Sequence, residues 1–384
     1  MAILINRKYS SRIECLLYIL QTTYKNFGEN DFIISDIKFD PSKEFNVFDF
    51  CNLKHSNFGI EYCPFLDNSL NESKCYATQS VISDTTKSKA ASATVRAFEA
   101  LGFVEITNAN SFVISEKGKH LCSLDFASKE YFDVTQKAIL SYGPINAFLL
   151  NAYQIGPIFN SSDLYVSYPI TEEPIELSTS STKDSNTRTV SMLVSWCLQA
   201  GLIEPEKNRN KNNELPQIYY RKIINNKRLS CRKFILTDFA INYINSNPYV
   251  ENPLCYEALN KNVGSLRENN STDIRNITLQ YNSIVLNRRF ALIYILNYAK
   301  LHSINISFEK LHDILTQYNE TFFLPNSDTW DILQSELNIC PLAGLMIIVS
   351  EDKINILNNV NTEILSSNAP SDIVDLCKEI VKKI

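Results

Sequence analysis

The spacing of apolar side chains along this chain predicts where its helices form. Residues 11–26 and 129–155 carry apolar side chains three and four positions apart, which predicts an amphipathic helix and then a helical pair interrupted at Gly143–Pro144. Residues 40–75 show no clear period and indicate an irregular packed segment. The pattern as a whole predicts a mainly α-helical fold with short β-hairpins, in the α+β class.

A helix followed by a hairpin is predicted twice in the middle of the chain. In the first copy a helix over residues 86–101 ends at Gly102, and a hairpin follows over residues 103–115. In the second copy a helix over residues 186–200 ends at Gly201, and a strand begins directly after it. The C-terminal portion predicts three helices and then a hairpin, so the same order recurs there more faintly.

The first two copies are related by an internal repeat. Residues 101–106 align with residues 200–205 without a gap when the chain is shifted by 99 positions (200 − 101). The apolar positions i, i+4 and i+7 of both helices form a stripe that is expected to be buried, namely Ala91, Val95 and Phe98 against Val190, Val194 and Cys197. A cation and a small hydroxyl recur on the opposite face, where Lys89, Ser92 and Arg96 correspond to Arg188, Ser191 and Ser195.

The repeat predicts tandem winged-helix modules that bind double-stranded DNA. A helix fits the major groove of B-DNA, and its exposed face reaches base edges and phosphates. The residues predicted to make these contacts are Lys87, Lys89, Ser92, Arg96, Arg188, Ser191 and Ser195. Winged helices also mediate protein contacts, and under that alternative the same faces are only solvated.

A strongly basic segment separates the two predicted strands of the second copy. Residues 205–236 hold nine Lys or Arg and two Glu, a charge of +7, in a chain whose net charge is −5. The segment corresponds to the wing, and its composition suits phosphate or minor-groove contact. The predicted contacts are Lys207, Arg209, Lys211, Arg221, Lys222, Lys227, Arg228, Arg232 and Lys233. The alternative is a solvated loop without a ligand.

The remainder of the composition limits the compartment and the partners. Because the chain is acidic overall, any attraction for phosphate must come from a local patch. The N-terminal residues lack the apolar run of a signal peptide, and no stretch approaches the length of a transmembrane helix. We therefore expect a cytoplasmic protein that does not contact membranes.

Other chemistry-bearing residues predict no cofactor. The chain has ten cysteines without a close C-x-x-C pair, and it contains no phosphate-binding glycine motif. One cluster of residues has the composition of a zinc site but not its spacing, and buried free thiols are the alternative. That cluster is Cys51, His55, Cys63 and Cys75. Both tryptophans, Trp196 and Trp330, are predicted to lie in the core.

Residues 85–245 resemble the winged-helix recognition region of AlwI-type and FokI-type (type IIS) restriction endonucleases. In that family a helix ends in Arg-x-x-x-x-x-Gly-Phe, a hairpin follows, and Ile-Thr-x-x-Gly-x-x-Leu closes the module. The matching positions in this chain are Arg96, Gly102, Phe103, Ile114, Ser115, Gly118 and Leu121. The resemblance implies sequence-selective recognition of duplex DNA.

The chain departs from that family in lacking an evident nuclease domain. The family's nuclease has an Asp…Glu-x-Lys metal site, and no such pattern occurs in a suitable setting here. The resemblance therefore implies the DNA-recognition component of a restriction or phage-defence system, with the nuclease on another chain and Mg²⁺ required only by that partner. We expect no catalytic activity from this chain alone, and a DNA endonuclease activity if there is one.

The sequence thus predicts five regions and leaves three functions open. The regions are an N-terminal helical or irregular module (1–83), a first winged helix (84–128), a helical pair with a connector (129–182), a second winged helix with a basic wing (183–250) and a C-terminal winged-helix-like domain (251–384). The favoured function is sequence-selective DNA binding. The alternatives are a protein–protein scaffold of a chromosome-maintenance or defence complex, and a type II restriction endonuclease whose catalytic site is unrecognised.

Overall fold

The protein is described here from a computed structural model. The described residues are 3–4, 13–34, 66–67, 74–75, 94–108, 111–125, 128–164, 166–167, 180–206, 233–246, 256, 259, 272–350 and 353–384. Within this part of the chain, no helix is both long enough and apolar enough to span a membrane.

Helices dominate, and the strands are short. The helices are α1 (Ile13–Phe27), α2 (residues 94–100), α3 (Glu116–Ser123), α4 (Lys129–Leu140), α5 (Gly143–Ile155), α6 (Ser180–Gln199), α7 (Asp238–Asn245), α8 (Thr272–Leu301), α9 (Phe308–Thr316), α10 (Asn319–Phe322), α11 (Thr329–Glu336), α12 (Thr362–Leu365) and α13 (Ser371–Val381). The strands are β1 (Ile3–Leu4), β2 (Phe32–Ile33), β3 (Leu66–Asp67), β4 (Lys74–Cys75), β5 (Val104–Asn108), β6 (Ser111–Ile114), β7 (Ile158–Asn160), β8 (Val166–Ser167), β9 (Ile203–Pro205), β10 (Lys233–Leu236), β11 (Ile306–Ser307), β12 (Ile347–Ser350) and β13 (Lys353–Ile356). The predicted α+β class is confirmed.

The predicted interruption of the central helical pair is confirmed. Helix α4 ends at Leu140, and α5 starts at Gly143 with Pro144 in its first turn. Proline is tolerated there because the first amide groups of a helix have no intrahelical acceptor.

Helix α6 begins earlier than the helix over residues 186–200 that the sequence predicts. The connector that we expected to extend to residue 182 ends earlier, because α6 already begins at Ser180. Its first turns are rich in Ser, Thr and Asn, which have weak helix propensity and give little signal in the sequence.

The chain divides into two compact units. Unit 1 comprises Met1–Arg7, Leu140–Val190 and Asp238–Ile384, and unit 2 comprises Lys8–Ile139 and Ser191–Thr237. Each unit is therefore assembled from segments that are distant in the sequence.

Unit 2 contains a three-stranded antiparallel sheet with the order β2-β6-β5. Phe32 of β2 pairs with Phe112 of β6, and the two rings stack with their centroids 6.0 Å apart. Both side chains are buried, together with Phe98 of α2 and Phe103. The aromatic side chains thus join the sheet to α2 in one apolar core.

Unit 1 contains a second three-stranded antiparallel sheet, with the order β11-β13-β12. The register Ile347↔Ile356 aligns β12 with β13 along its whole length, and Ile306 of β11 pairs with Ile354. Helix α8 lies in the core beside this sheet, and Phe290 and Leu296 on it are fully buried. In both of these sheets the strand that comes last in the sequence lies between the other two, so the spatial order is first–third–second.

A buried cluster of ion pairs connects α11 to α8 in unit 1. Glu336 accepts from Arg289 Nε at 2.7 Å and from Arg288 Nη2 at 3.0 Å. Arg288 also donates to the carbonyl of Phe322 at 2.8 Å. Burial of Glu336 raises the pKa of its carboxyl, but the two guanidinium groups outweigh burial and hold the pKa below its usual value.

Candidate nucleic-acid interface

A left-handed glycine ends helix α2 and starts the first hairpin. Gly102 has φ +74° and donates to the carbonyl of Glu99 at 3.0 Å, while Phe103 N–H donates to the carbonyl of Phe98 at 2.8 Å. These two bonds satisfy the last carbonyls of the helix, and the positive φ favours glycine because a Cβ would be strained there. The chain therefore leaves α2 in one defined direction.

A serine at the end of the hairpin forms hydrogen bonds to the end of α2 and to the start of α3. The Ser115 hydroxyl donates to the carbonyl of Gly102 at 2.7 Å and accepts from Gly118 N–H at 3.1 Å. Ser115 N–H donates to the carbonyl of Phe103 at 3.0 Å. One residue thus caps α3 and ties the end of the hairpin to the end of α2. We call this arrangement of a left-handed glycine and a side chain that donates to its carbonyl the latch.

The second copy has the same latch. Gly201 has φ +65° and donates to Leu198 O at 3.1 Å, and Leu202 N–H donates to Cys197 O at 2.8 Å. The Thr237 hydroxyl donates to Gly201 O at 2.8 Å. The alignment of Gly102 with Gly201 in the sequence therefore corresponds to matching hydrogen bonds.

A third latch lies in unit 1, where the sequence repeat is faint. Gly344 has φ +88°, and Leu345 N–H donates to the carbonyl of Cys340 at 2.9 Å. Asn358 Nδ2 donates to Gly344 O at 2.9 Å, and Asn358 Oδ1 accepts from Met346 N–H at 2.6 Å. Sequence reasoning missed Asn358 because it is an amide and lies four residues before α12, not directly at the start of a helix.

The three copies differ in charge. We define the first copy as residues 94–123, the second as 191–237 and the third as 329–358. Lys and Arg minus Asp and Glu gives 3 − 3 = 0 for the first, 9 − 3 = +6 for the second and 1 − 4 = −3 for the third. The three copies therefore combine the same latch with three different net charges, and the second copy has the sign of charge that attracts phosphate.

Arg96 is held inside the first copy. Its Nη1 lies 2.8 Å from Glu99 Oε2, and its guanidinium lies 5.2 Å from the centroid of the Phe112 ring. The side chain is 28% exposed. These contacts link α2 to strand β6, so Arg96 would have to exchange Glu99 for a phosphate or a base to contact DNA.

The other predicted contact residues are only partly described. Ser191 is exposed on α6, Ser195 is half-buried one turn later, and Lys233 is exposed at the start of β10. Arg188 lies within α6. The remaining predicted contacts lie outside the described residues: Lys87, Lys89, Ser92, Lys207, Arg209, Lys211, Arg221, Lys222, Lys227, Arg228 and Arg232.

The two tryptophans have opposite environments. Trp196 is fully buried, as predicted. Trp330 is 42% exposed, so the prediction that it lies in the core is wrong. It packs edge-on against Phe308 and His312, and it does not lie on the buried face of α11, which carries Leu333 and Glu336.

The structure describes one of the four residues of the possible zinc cluster. Cys75 lies on β4, and Cys51, His55 and Cys63 lie outside the described residues. In the described ranges, no group of three or more His, Cys, Asp or Glu side chains is placed to hold a metal ion. Burial raises the pKa of the Cys122 and Cys377 thiols to about 12, so these two are protonated at neutral pH.

Comparison with known proteins returned solved structures only. No family model matches the chain, and no curated protein matches it. The structure of restriction endonuclease FokI is similar with a TM-score of 0.46 and 15% identity, covering 98% of this chain and 68% of that one. The structure of FokI bound to DNA is similar with a TM-score of 0.48 and 14% identity, covering 97% and 66%.

This chain therefore spans about two thirds of the length of the FokI structures that it resembles. With identity and TM-score this low, the activity named for those proteins does not transfer to this chain. The assignment of this chain to a DNA-recognition region therefore stays a proposal.

Proposed function

We propose that this chain binds double-stranded DNA through tandem winged-helix modules, with the second copy and its basic segment making the main phosphate contacts. The observation that carries this proposal is the shared latch, combined with the +7 charge of residues 205–236. The latch sets the direction of a hairpin relative to the helix before it. A fixed helix with a hairpin beside it is the arrangement that winged-helix proteins dock on a duplex.

The position of the basic segment supports the DNA function over a solvated loop. Strands β9 and β10 pair in the register Leu236↔Ile203, and the segment between them is the connection of this hairpin. The basic residues therefore lie in the sequence between two strands that pair with each other. Electrostatic attraction of this kind supplies affinity that depends on salt and little on sequence, and α6 would add base contacts.

The biological setting that we propose rests on the sequence resemblance. The chain would be the DNA-recognition component of a cytoplasmic restriction or phage-defence system, acting with a nuclease on a separate subunit. Under this proposal Mg²⁺ is required by the nuclease and not by this chain.

Fluorescence-anisotropy titration of random-sequence duplex DNA across a salt series tests the proposal. The test variant replaces Lys207, Arg209 and Lys211 with Gln, and the matched control replaces Lys353, Lys378 and Lys382 with Gln. Each phosphate contact contributes about 0.9 to the slope of log K against log salt, so loss of three contacts lowers the slope by about two to three. The control should keep the wild-type slope. Absence of binding by the wild type at low salt, or equal slopes for both variants, would refute the proposal.

A further inference from the structure

Two helices of unit 1, one before the third copy and one within it, form an aromatic and acidic surface that the DNA proposal does not use. This surface, which we call the Trp330 surface, is formed by helices α9 and α11. Its exposed aromatic residue is Trp330, which packs on the buried Phe308 and the half-buried His312, and its acidic residues are Glu309, Asp313, Asp328 and Asp331. All four carboxylates are exposed.

The rings of the Trp330 surface hold one another in place. The Trp330 centroid lies 4.6 Å from Phe308 and 5.0 Å from His312, in edge-on geometries of 84° and 60°. His312 Nε2 shares a hydrogen bond of 2.9 Å with Thr329 Oγ1. The tryptophan is thus positioned by two neighbours on α9 while 42% of it stays exposed. An exposed ring that is already ordered loses little entropy when a ligand packs on it.

Each ring is followed by a carboxylate on the same helix. Glu309 follows Phe308, Asp313 follows His312, and Asp331 follows Trp330. On α9 and α11 the one Lys or Arg is Lys310, whose Nζ donates to the carbonyl of Ile384 at 3.1 Å. No Lys or Arg occurs from residue 311 to residue 352, a stretch with seven Asp or Glu. Of these, Glu336 is buried and paired with Arg288 and Arg289, so its charge is compensated internally.

The charge of this surface selects the class of partner. A phosphate backbone would be repelled by the exposed carboxylates, so duplex DNA is excluded here by the same electrostatics that favour it at the second copy. A guanidinium group suits the surface best, because it stacks on an aromatic face and pairs bidentately with a carboxylate. We infer that the Trp330 surface is a docking site for an arginine-bearing segment of a partner protein.

Trp330 itself supplies the signal for testing this inference. Because Trp196 is fully buried, ligand-induced changes in tryptophan emission report on Trp330. The probe is a short synthetic peptide of alternating Gly and Arg, with Gly–Lys and Gly–Glu peptides of the same length for comparison. We expect the Gly–Arg peptide to change the emission of the full chain, to bind more tightly than the Gly–Lys peptide, and the Gly–Glu peptide to have no effect.

Variants distinguish docking at this surface from general attraction to an acidic protein. Trp330→Ala should weaken Gly–Arg binding, measured by anisotropy of a labelled peptide, by about two- to five-fold, the range of an exposed cation–π contact. Asp331→Asn should weaken it as well, and it keeps the test valid if the tryptophan variant unfolds. The control Glu363→Gln removes an exposed carboxylate elsewhere in unit 1 and should leave binding unchanged.

Three outcomes would overturn the inference. They are the absence of an emission change with the Gly–Arg peptide, equal weakening by Glu363→Gln and Asp331→Asn, and self-association of the chain that Trp330→Ala abolishes, which would make a second copy the occupant. DNA affinity should be unaffected in Trp330→Ala, so failure here is distinguishable from failure of the DNA proposal.

Discussion

The first and third copies share a backbone geometry and differ in what stabilises and surrounds it. Both contain a left-handed glycine whose carbonyl accepts from a side chain beyond the hairpin, Ser115 in one and Asn358 in the other. The first copy is neutral and places a helix directly after the latch, whereas the third is acidic and adds a buried Arg–Glu cluster. The latch is thus kept in both copies while the charge around it differs.

The choice of latch residue follows from what comes next in the chain. Ser115 directly precedes α3, so a short hydroxyl both caps the helix and reaches Gly102 O. Asn358 lies in an extended segment, and its longer amide side chain both donates to Gly344 O and accepts from Met346 N–H. An amide supplies the donor and the acceptor that the single hydroxyl supplies in the first copy.

Removing the Glu336 carboxylate should cause the largest loss of stability, and the loss should be confined to unit 1, which contains the third copy. Glu336→Gln leaves two buried guanidinium groups without their counter-ion, which should destabilise unit 1 by about 3–5 kcal/mol. Urea unfolding followed by Trp330 emission measures this loss in unit 1, and the Trp330→Phe variant gives the Trp196 signal of unit 2 that is subtracted from the total. Glu320→Gln, which removes an exposed carboxylate, is the control and should cost far less. If Glu336→Gln loses no more stability than the control, the claim that the buried Arg–Glu cluster stabilises unit 1 is contradicted.

Cutting the latch should cost more in the third copy than in the first. Asn358→Ala leaves the buried Met346 N–H and Gly344 C=O without their partners, so we expect a loss of about 2–4 kcal/mol. Ser115→Ala should cost about 1–2 kcal/mol, as removal of a helix cap usually does. The same unfolding experiment measures both. Equal losses would mean that the two latches contribute equally to the free energy of unfolding, which would contradict the larger loss expected from the two buried hydrogen bonds of Asn358.

Gly118 tests a feature that belongs to the first copy. A Cβ at this position would collide with the carbonyl oxygen of Phe103 and would lie 2.8 Å from Ile114 Cγ2. Gly118→Ala should therefore push α3 away from the hairpin and cost about 1–3 kcal/mol, in the range of overpacked cores. His120→Ala, on the exposed side of the same helix, is the control. Unchanged stability of Gly118→Ala by thermal unfolding would show that α3 is not packed this closely.

Acid should weaken the third copy by a smaller, graded amount. Because the folded-state pKa of Glu336 is depressed, the group contributes stability above its unfolded pKa of about 4.3, and this contribution is lost as the pH falls through the lower folded value. The slope of unfolding free energy against pH in this range, measured for unit 1 by Trp330 emission, should be smaller in Glu336→Gln. Identical slopes in the two proteins would contradict a depressed pKa.

The sequence predicted most elements because their signals are local. Helical spacing, Gly102 and Gly201 as stops, and the hairpins are each determined within a few residues, and the 99-residue repeat located two of the three latches. Asn358 was missed because its role depends on the position of Gly344, fourteen residues away and on another element.

The surface of the site was harder to predict than its framework. Arg96 has Glu99 one turn away, and the i, i+3 spacing could have indicated their ion pair. The exposure of Trp330 could not be predicted from spacing, because an aromatic residue in the first turn of a helix is buried or exposed according to which helix packs beside it. Here α9 contributes Phe308 and His312 to Trp330, and 42% of the tryptophan remains exposed.

Hydrogen exchange of the full chain with and without duplex DNA tests the central claim most directly, since it reports separately on each copy. The account predicts that duplex slows amide exchange over residues 191–206 in the second copy and leaves residues 329–350 in the third unchanged. Protection of residues 329–350 together with unchanged exchange over 191–206 would contradict it and would place the DNA interface at the acidic copy.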